Sequence, residues 1–255
     1  MPNDMNEAAK TASKLSDVVV VNGDAFEDAI VFLHPGMGAA RSWGRFAPML
    51  CARLGRTGLI YTREEYESDG DGYILREDFF DRQAETLEYI LGEYGIKRAL
   101  LVGSSDGATI ALTHNMRFPD RVQAIVSIAA HVMIDAQMLR ALDRLKDQTS
   151  ADPTPEWLTQ LHGARGKKLA DAWISTWRSF MNKNWSIEHR LAGVQRPVLA
   201  LQGTKDENGL PIQINALRTF IPRCSSKMLP GLGHFPFKEE PEALVEIIDA
   251  FLKTE

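Results

Sequence analysis

Gly103-Ser104-Ser105-Asp106-Gly107 has the form G-x-S-x-G and lies between an apolar run, Ala99-Leu100-Leu101-Val102, and a helix-like stretch from Ala108 to Phe118. A serine at the apex of such a strand-to-helix turn is held in a strained conformation, so its hydroxyl stands clear of both elements and can attack a carbonyl. Only Ser105 has glycine at both −2 and +2, where small residues let the two backbones pass closely. A serine hydroxyl is a weak nucleophile and needs a base whose tautomer is held by an acid. Asp206 lies just beyond the apolar run that ends Leu201-Gln202-Gly203, and can accept the Nδ1–H of a histidine. His234 follows in Gly231-Leu232-Gly233-His234-Phe235-Pro236, a glycine-rich turn that can swing an imidazole over a sheet edge. Leu33-His34-Pro35-Gly36-Met37-Gly38 follows another buried run. Loops of this kind supply one backbone N–H of an oxyanion hole, the other coming from the residue after the nucleophile, here Asp106.

These residues need a scaffold that brings loop ends together. Asp17 to Val21, Ala29 to Leu33, Gly58 to Tyr61, Ala99 to Val102, Val122 to Ala129, Pro197 to Leu201 and Ser226 to Leu229 read as strands, several of them continuously apolar. Amphipathic stretches lie among them: Phe79 to Tyr94, closed by Gly95; Ala108 to Phe118, closed by Pro119; and Glu239 to Leu252. Strands buried on both faces and alternating with helices predict an α/β architecture, a mostly parallel sheet flanked by helices. The alternation breaks between His131 and Gln195, which holds helical stretches and Trp157, Trp173, Trp177 and Trp185. The reading is therefore a lead-in over residues 1–16, a core over 17–130 and 196–255, and a helical cap over 131–195 that covers the ligand-binding edge of the sheet.

Composition narrows the class further. The 255 residues carry 29 Lys+Arg against 34 Asp+Glu, a net charge of −5, with no basic run for a nucleic acid or an anionic membrane surface. Cys51 and Cys224 are isolated, no stretch approaches the length of a membrane span, and Met1 to Ser16 lacks the apolar core of a signal peptide. A cytoplasmic protein, monomeric or homo-oligomeric, fits this pattern. No zinc-type ligand spacing and no dinucleotide- or phosphate-binding glycine pattern is present, so neither metal nor cofactor is expected, only a small-molecule substrate.

With its four motifs in order, the chain from about Val18 to Phe251 resembles the α/β-hydrolase family, including the closing segment GHFPFKEEPEALVEIIDAFL. The resemblance implies Ser105 as nucleophile, Asp206 as triad acid and His234 as general base, with the backbones of Gly36 and Asp106 as oxyanion hole. His34-Pro35 stands where the family has His-Gly, so Gly36 or Met37 could donate; the ungapped count from His34 to Trp43 favours Gly36. The stretch from Tyr61 to Asp69 is similar to the family's D-x-R-G-x-G-x-S-D with its glycines lost, and Ala108 stands for the elbow's usual second glycine.

The activity implied is hydrolysis of a small carboxylic ester, thioester or lactone through an acyl-enzyme. The alternatives are a cofactor-free C–C bond hydrolase or perhydrolase with the same triad, and a hydrolase-like ligand-binding receptor; the Asn-Ser-Met elbow of the C–C hydrolases is absent. Met37, His131, Trp173 and Trp177 are the expected pocket residues. His114 reads as structural, His162 and His189 as solvent-facing, and Asp135 as the substitute acid should Asp206 not serve. The Asp106 carboxylate either faces the pocket, favouring cationic substrates, or bonds locally at the helix start.

Overall fold

The computed structural model describes residues 17–67 and 78–255. The predicted lead-in and the Ser68-Asp69 end of the Tyr61 to Asp69 stretch lie outside the described residues. Seven strands form one sheet among them: β1 (Val18–Val21), β2 (Ile30–Leu33), β3 (Gly58–Tyr61), β4 (Ala99–Ser104), β5 (Val122–Ile128), β6 (Val198–Gly203) and β7 (Cys224–Leu229). Their order is β1-β3-β2-β4-β5-β6-β7; β1 runs antiparallel to β3 and every other pair is parallel. The expected mostly parallel sheet with flanking helices is what the chain forms.

The chain leaves β2 toward β3 on one side and returns to β4 on the other. The β2 and β4 C-termini therefore flank a point where the strand order reverses, the usual position of a ligand crevice in an open α/β sheet. Leu33 is the register partner of Gly103, so the two loops that follow leave the sheet side by side at one level.

Helices α1 (Phe46–Leu54), α2 (Glu64–Glu67), α3 (Phe79–Glu93) and α4 (Asp106–Arg117) belong to the first half. Helices α5 (Ala136–Thr149), α6 (Glu156–His162) and α7 (Gly166–Asn182) fill the interval between β5 and β6; α8 (Ile212–Phe220), α9 (Pro236–Glu239) and α10 (Pro241–Leu252) follow. Two apolar clusters sandwich the sheet. One packs Phe80, Leu87 and Leu91 of α3 and Ile110 of α4 against Val31 and Leu101. The other packs Phe46 and Leu50 of α1 and Leu244 and Ile248 of α10 against Ile30, Phe32 and Val102. Removing such residues from water is the main driving force for the layered arrangement.

Element boundaries depart from the sequence reading where a local rule intervenes. The closing helix splits at Glu240 (φ −136, ψ 64), because Pro241 disfavours helical conformation in the residue before it. Pro48 hides α1 in the sequence, yet as that helix's third residue its missing N–H is one the helix does not use. The helix after the glycine-rich turn begins at Asp106, earlier than Ala108, because the turn is completed within Ser105 itself. No helix of the described residues is long and apolar enough to cross a membrane.

Candidate active site

Ser105 occupies φ 52, ψ −119, a strained backbone for a residue with a Cβ, and its amide donates to Ile128 O at 2.8 Å. Two glycines make that turn possible. A Cβ on Gly103 would lie 2.4 Å from Gly107 O, and one on Gly107 would lie 1.9 Å from Leu33 O. The spacing read in the sequence therefore reflects real backbone contact among β2, β4 and the start of α4.

Asp206 and His234 meet at the far side of the same edge. His234 Nδ1 donates to Asp206 Oδ1 at 2.8 Å, with both side chains buried. The amides of Asn208 and Gly209 also donate to Oδ1, at 2.9 and 3.2 Å, and Gln202 Nε2 donates to Oδ2 at 3.1 Å. Burial would raise the Asp206 pKa, but the hydrogen bond and charge of His234, with the Asn208 amide, outweigh it and hold the carboxyl below its ordinary value. A charged Asp206 keeps the His234 proton on Nδ1 and leaves Nε2 bare. Asp135, the substitute acid, is engaged elsewhere. Its Oδ1 caps α5 through the amides of Gln137 and Met138, and its Oδ2 accepts from Leu210 N and Gln213 Nε2.

His131 stands closer to Ser105 than the sequence indicated. Its Nδ1 lies 3.5 Å from Ser105 Oγ, its Nε2 donates to Asn208 O at 3.3 Å, and its ring stacks on His234 with centroids 5.5 Å apart. Burial and the neighbouring His234 lower its pKa to about 4, so near neutral pH it is an uncharged acceptor facing the hydroxyl.

The loop after β2 is braced by a side chain the sequence reading passed over. Arg63, buried, donates to His34 O at 2.6 Å, to Pro35 O at 3.0 Å and to Tyr66 Oη at 3.0 Å. His34 donates from Nδ1 to Pro35 O and accepts the Arg63 amide at Nε2, so its geometry requires the neutral ring. Burial and the Arg63 charge hold its pKa well below the ordinary value. The arginine of the degraded D-x-R-G stretch was the available signal, since it keeps its place although the glycines are gone. Met37, at φ 54, turns its amide toward Tyr66 Oη at 3.4 Å, whereas the amides of Gly36 and Asp106 make no hydrogen bond within the described residues.

A cavity of about 700 Å³ opens over these residues, and the structure brings Gly36, Met37, Ser105, His131, Trp173, Trp177 and His234 together along its wall. Its size is that of a small-molecule site. The Asp106 carboxylate does not line it. Fully buried, its Oδ2 accepts Trp173 Nε1–H at 2.8 Å, so both alternatives read from the sequence, a pocket-facing carboxylate and a local bond at the helix start, are corrected: the indole of a distant helix lies across it. Burial pushes its pKa up, against the opposing pull of Arg63 and the Trp173 hydrogen bond. His162 is a second correction. It is buried and donates from Nε2 to Met37 O at 2.9 Å, because α6 packs onto the loop after β2 instead of facing solvent. His114 is buried in α4 with Nε2 on Glu88 at 3.2 Å, a structural contact, and His189 is exposed, both as read. Among the described residues no group of three His, Cys, Asp or Glu side chains could hold a metal ion.

A family model described as "Alpha/beta hydrolase family" matches residues 30–247. Mouse (Mus musculus) sn-1-specific diacylglycerol lipase ABHD11 is 21% identical over 259 residues, covering 91% of this chain and 83% of that protein. Among solved structures, a membrane phospholipase A described as a bacterial virulence factor superposes with TM-score 0.73 at 22% identity, covering 99% of this chain and 90% of its own. Esterase RhEst1 from Rhodococcus sp. ECU1013 superposes with TM-score 0.68 at 19% identity, covering 92% and 94%.

Proposed function

This chain belongs to the alpha/beta hydrolase family, and on that premise we propose that it is a serine hydrolase of small carboxylic esters or thioesters, working through an acyl-enzyme on Ser105, His234 and Asp206. The observation that carries the reading is the buried His234–Asp206 pair at 2.8 Å, opening on the same cavity as Ser105 at φ 52. Asp206 leaves His234 Nε2 as the free acceptor. Ser105 Oγ adds to the substrate carbonyl while its proton passes to Nε2. The oxyanion is received by the Gly36 and Asp106 amides, neither of which has a hydrogen-bond partner among the described residues. Collapse breaks the C–O or C–S bond, and the leaving group takes the proton from Nε2. A water then gives its proton to Nε2 and its oxygen to the acyl carbon; Ser105 leaves with that proton, and the acid departs.

His131 gives the resting hydroxyl an acceptor at 3.5 Å, and a rotation of the Ser105 side chain turns it toward His234 when substrate arrives. Residues 131–195 act as a cap: Trp173 and Trp177 of α7, with Met138 and Leu142 of α5, supply an apolar wall. The substrate accordingly has an apolar acyl portion. Labelling with a fluorophosphonate, with Ser105→Ala as control, followed by a panel of ester chain lengths, tests the reading. Labelling that persists in Ser105→Ala overturns it.

A further inference from the structure

The cavity changes character toward solvent. Ser105, His131 and His234 at its floor are buried, whereas Arg41, Arg45, Arg144, Lys238 and Glu207 at its rim are exposed. Four cations and one carboxylate on one rim is a local excess of positive charge in a chain whose net charge is −5. Several arginines elsewhere are neutralised by neighbours, Arg53 by Glu246 and Asp249, Arg121 by Glu88, Arg190 by Asp81 and Arg223 by Glu255, while a few, such as Arg140 on Gln137, are not. Among the described residues, Arg45 alone at the rim is so neutralised, by Glu242 at 2.7 Å.

The other three cations have no carboxylate within ion-pair distance among the described residues. Arg41 donates to Gln160 O at 3.0 Å and Arg144 donates to Glu207 O; these carbonyls orient each guanidinium without cancelling its charge. The Lys238 ammonium lies 4.8 Å from the Phe235 ring centre and 5.9 Å from that of Phe237, four residues beyond His234 in sequence. Exposed as a residue, Lys238 is nonetheless partly desolvated by these surroundings, which holds its pKa below the ordinary lysine value. Three oriented cations from three elements, less the Glu207 charge, leave about two positive charges, which complements a phosphate monoester in its dianionic form.

We propose that the substrate is an acyl ester or thioester bearing a phosphate group, the acyl chain lying in the cavity and the phosphate at the rim against Lys238, Arg144 and Arg41. This rests on the hydrolase reading above and adds the substrate class to it. A phosphate of this kind can belong to a lipid headgroup or to a coenzyme-type thioester, and two matched pairs separate these sources. One pair is octanoylglycerol phosphate and monooctanoylglycerol; the other is octanoyl-coenzyme A and octanoyl-N-acetylcysteamine.

The test is kcat/KM of the wild-type protein on both pairs at low and high salt. The expected result is a preference for the phosphate-bearing member of one or both pairs, expressed in KM and on the order of tenfold or more. It should shrink between about 50 mM and about 500 mM NaCl, as screening shortens the reach of rim charges. The double variant Lys238→Met, Arg144→Met should reduce the same ratio by about tenfold, and the wild-type salt series stands even if that variant folds poorly. A preference in the lipid pair alone or the coenzyme pair alone supports the inference and identifies the source. Equal efficiency within both pairs, a preference insensitive to salt, or a labelled Ser105 with no turnover of either phosphate compound overturns it. Absence of both labelling and turnover overturns the hydrolase reading beneath it.

Discussion

Trp173 of α7 donates its indole N–H to Asp106 at 2.8 Å, joining the helical segment between β5 and β6 to the residue that follows Ser105. The contact passes directly over Gly36, where an added Cβ would lie 2.5 Å from Trp173 Nε1 and 2.7 Å from Asp106 Oδ2. The two residues whose amides face the proposed oxyanion thus sit beneath one indole. Any side chain at position 36 would push it away.

That hydrogen bond makes an energetic prediction. Trp173→Phe removes the donor and leaves a buried carboxylate oxygen unpaired, at a cost of about 1–3 kcal/mol. Asp106→Asn in the Trp173→Phe background should recover part of this, because an amide is less costly to bury than a carboxylate. A double-mutant cycle read by thermal or urea unfolding should give an interaction on the order of 1 kcal/mol. Additive effects would show that the contact does not hold the segment. Acyl chain-length preference should also move in Trp173→Phe, since the ring lines the cavity.

Ser105→Ala should lower kcat by roughly 10⁴ to 10⁶ while leaving the melting temperature nearly unchanged, because the strained backbone is retained and only one hydroxyl is lost. Activity near wild type would place the chemistry elsewhere.

The two candidate acids give opposite signatures. Asp206→Asn should lower kcat by up to ~10⁴, because the amide can hold His234 in the wrong tautomer. Asp135→Asn should instead lower stability, by about 1–3 kcal/mol, because Oδ1 can still cap α5 but an NH2 in place of Oδ2 would face the Leu210 and Gln213 donors. Steady-state kinetics run beside unfolding curves for both variants check the division. A large kcat loss in Asp135→Asn with unchanged stability would reverse the assignment.

His131 makes the fold sensitive to acid. Burial depresses its pKa from the ordinary 6.5 to about 4, so between these values the unfolded chain binds a proton that the folded chain refuses. Stability from this group is therefore present in full above pH 6.5 and falls as pH drops toward 4, by about 1.4 kcal/mol per unit and on the order of 3 kcal/mol in all. His34, His114 and His162 are depressed too and add slopes of the same sign. Asp206, held below its ordinary value, loses its contribution only at more acid pH. The measurement is urea unfolding of wild type and His131→Gln across that window. The variant should show the shallower loss; parallel curves would mean that His131 titrates freely in the folded state.

The turn at Ser105 was legible because its determinants are local. Gly103 and Gly107 must lack side chains for β4 and α4 to pass β2, and that steric requirement leaves a fixed spacing around Ser105 in any chain that makes the turn. Asp206 and His234 were legible for a related reason: each follows an apolar run in a loop at a strand's C-terminal end, and parallel strands put such ends on one edge.

Which other side chains reach that edge depended on packing between segments far apart in sequence, and no local pattern encodes it. His131 and His162 are the same residue type in the same helical interval; one faces Ser105 and the other bonds Met37 O, 125 positions away in sequence. Arg63 braces the loop at His34 and Pro35 only because β2 and β3 are neighbours in the sheet. Asp106 took neither of the two roles its position suggested, pocket-facing or bonded at the helix start, because α7 laid Trp173 across it. Residue types and backbone spacing, set by steric rules over a few residues, were determined by the sequence read alone. Burial, partner and charge state at each site were decided only when the sheet and the helices closed on one another, since those depend on which distant atoms replace water around each group.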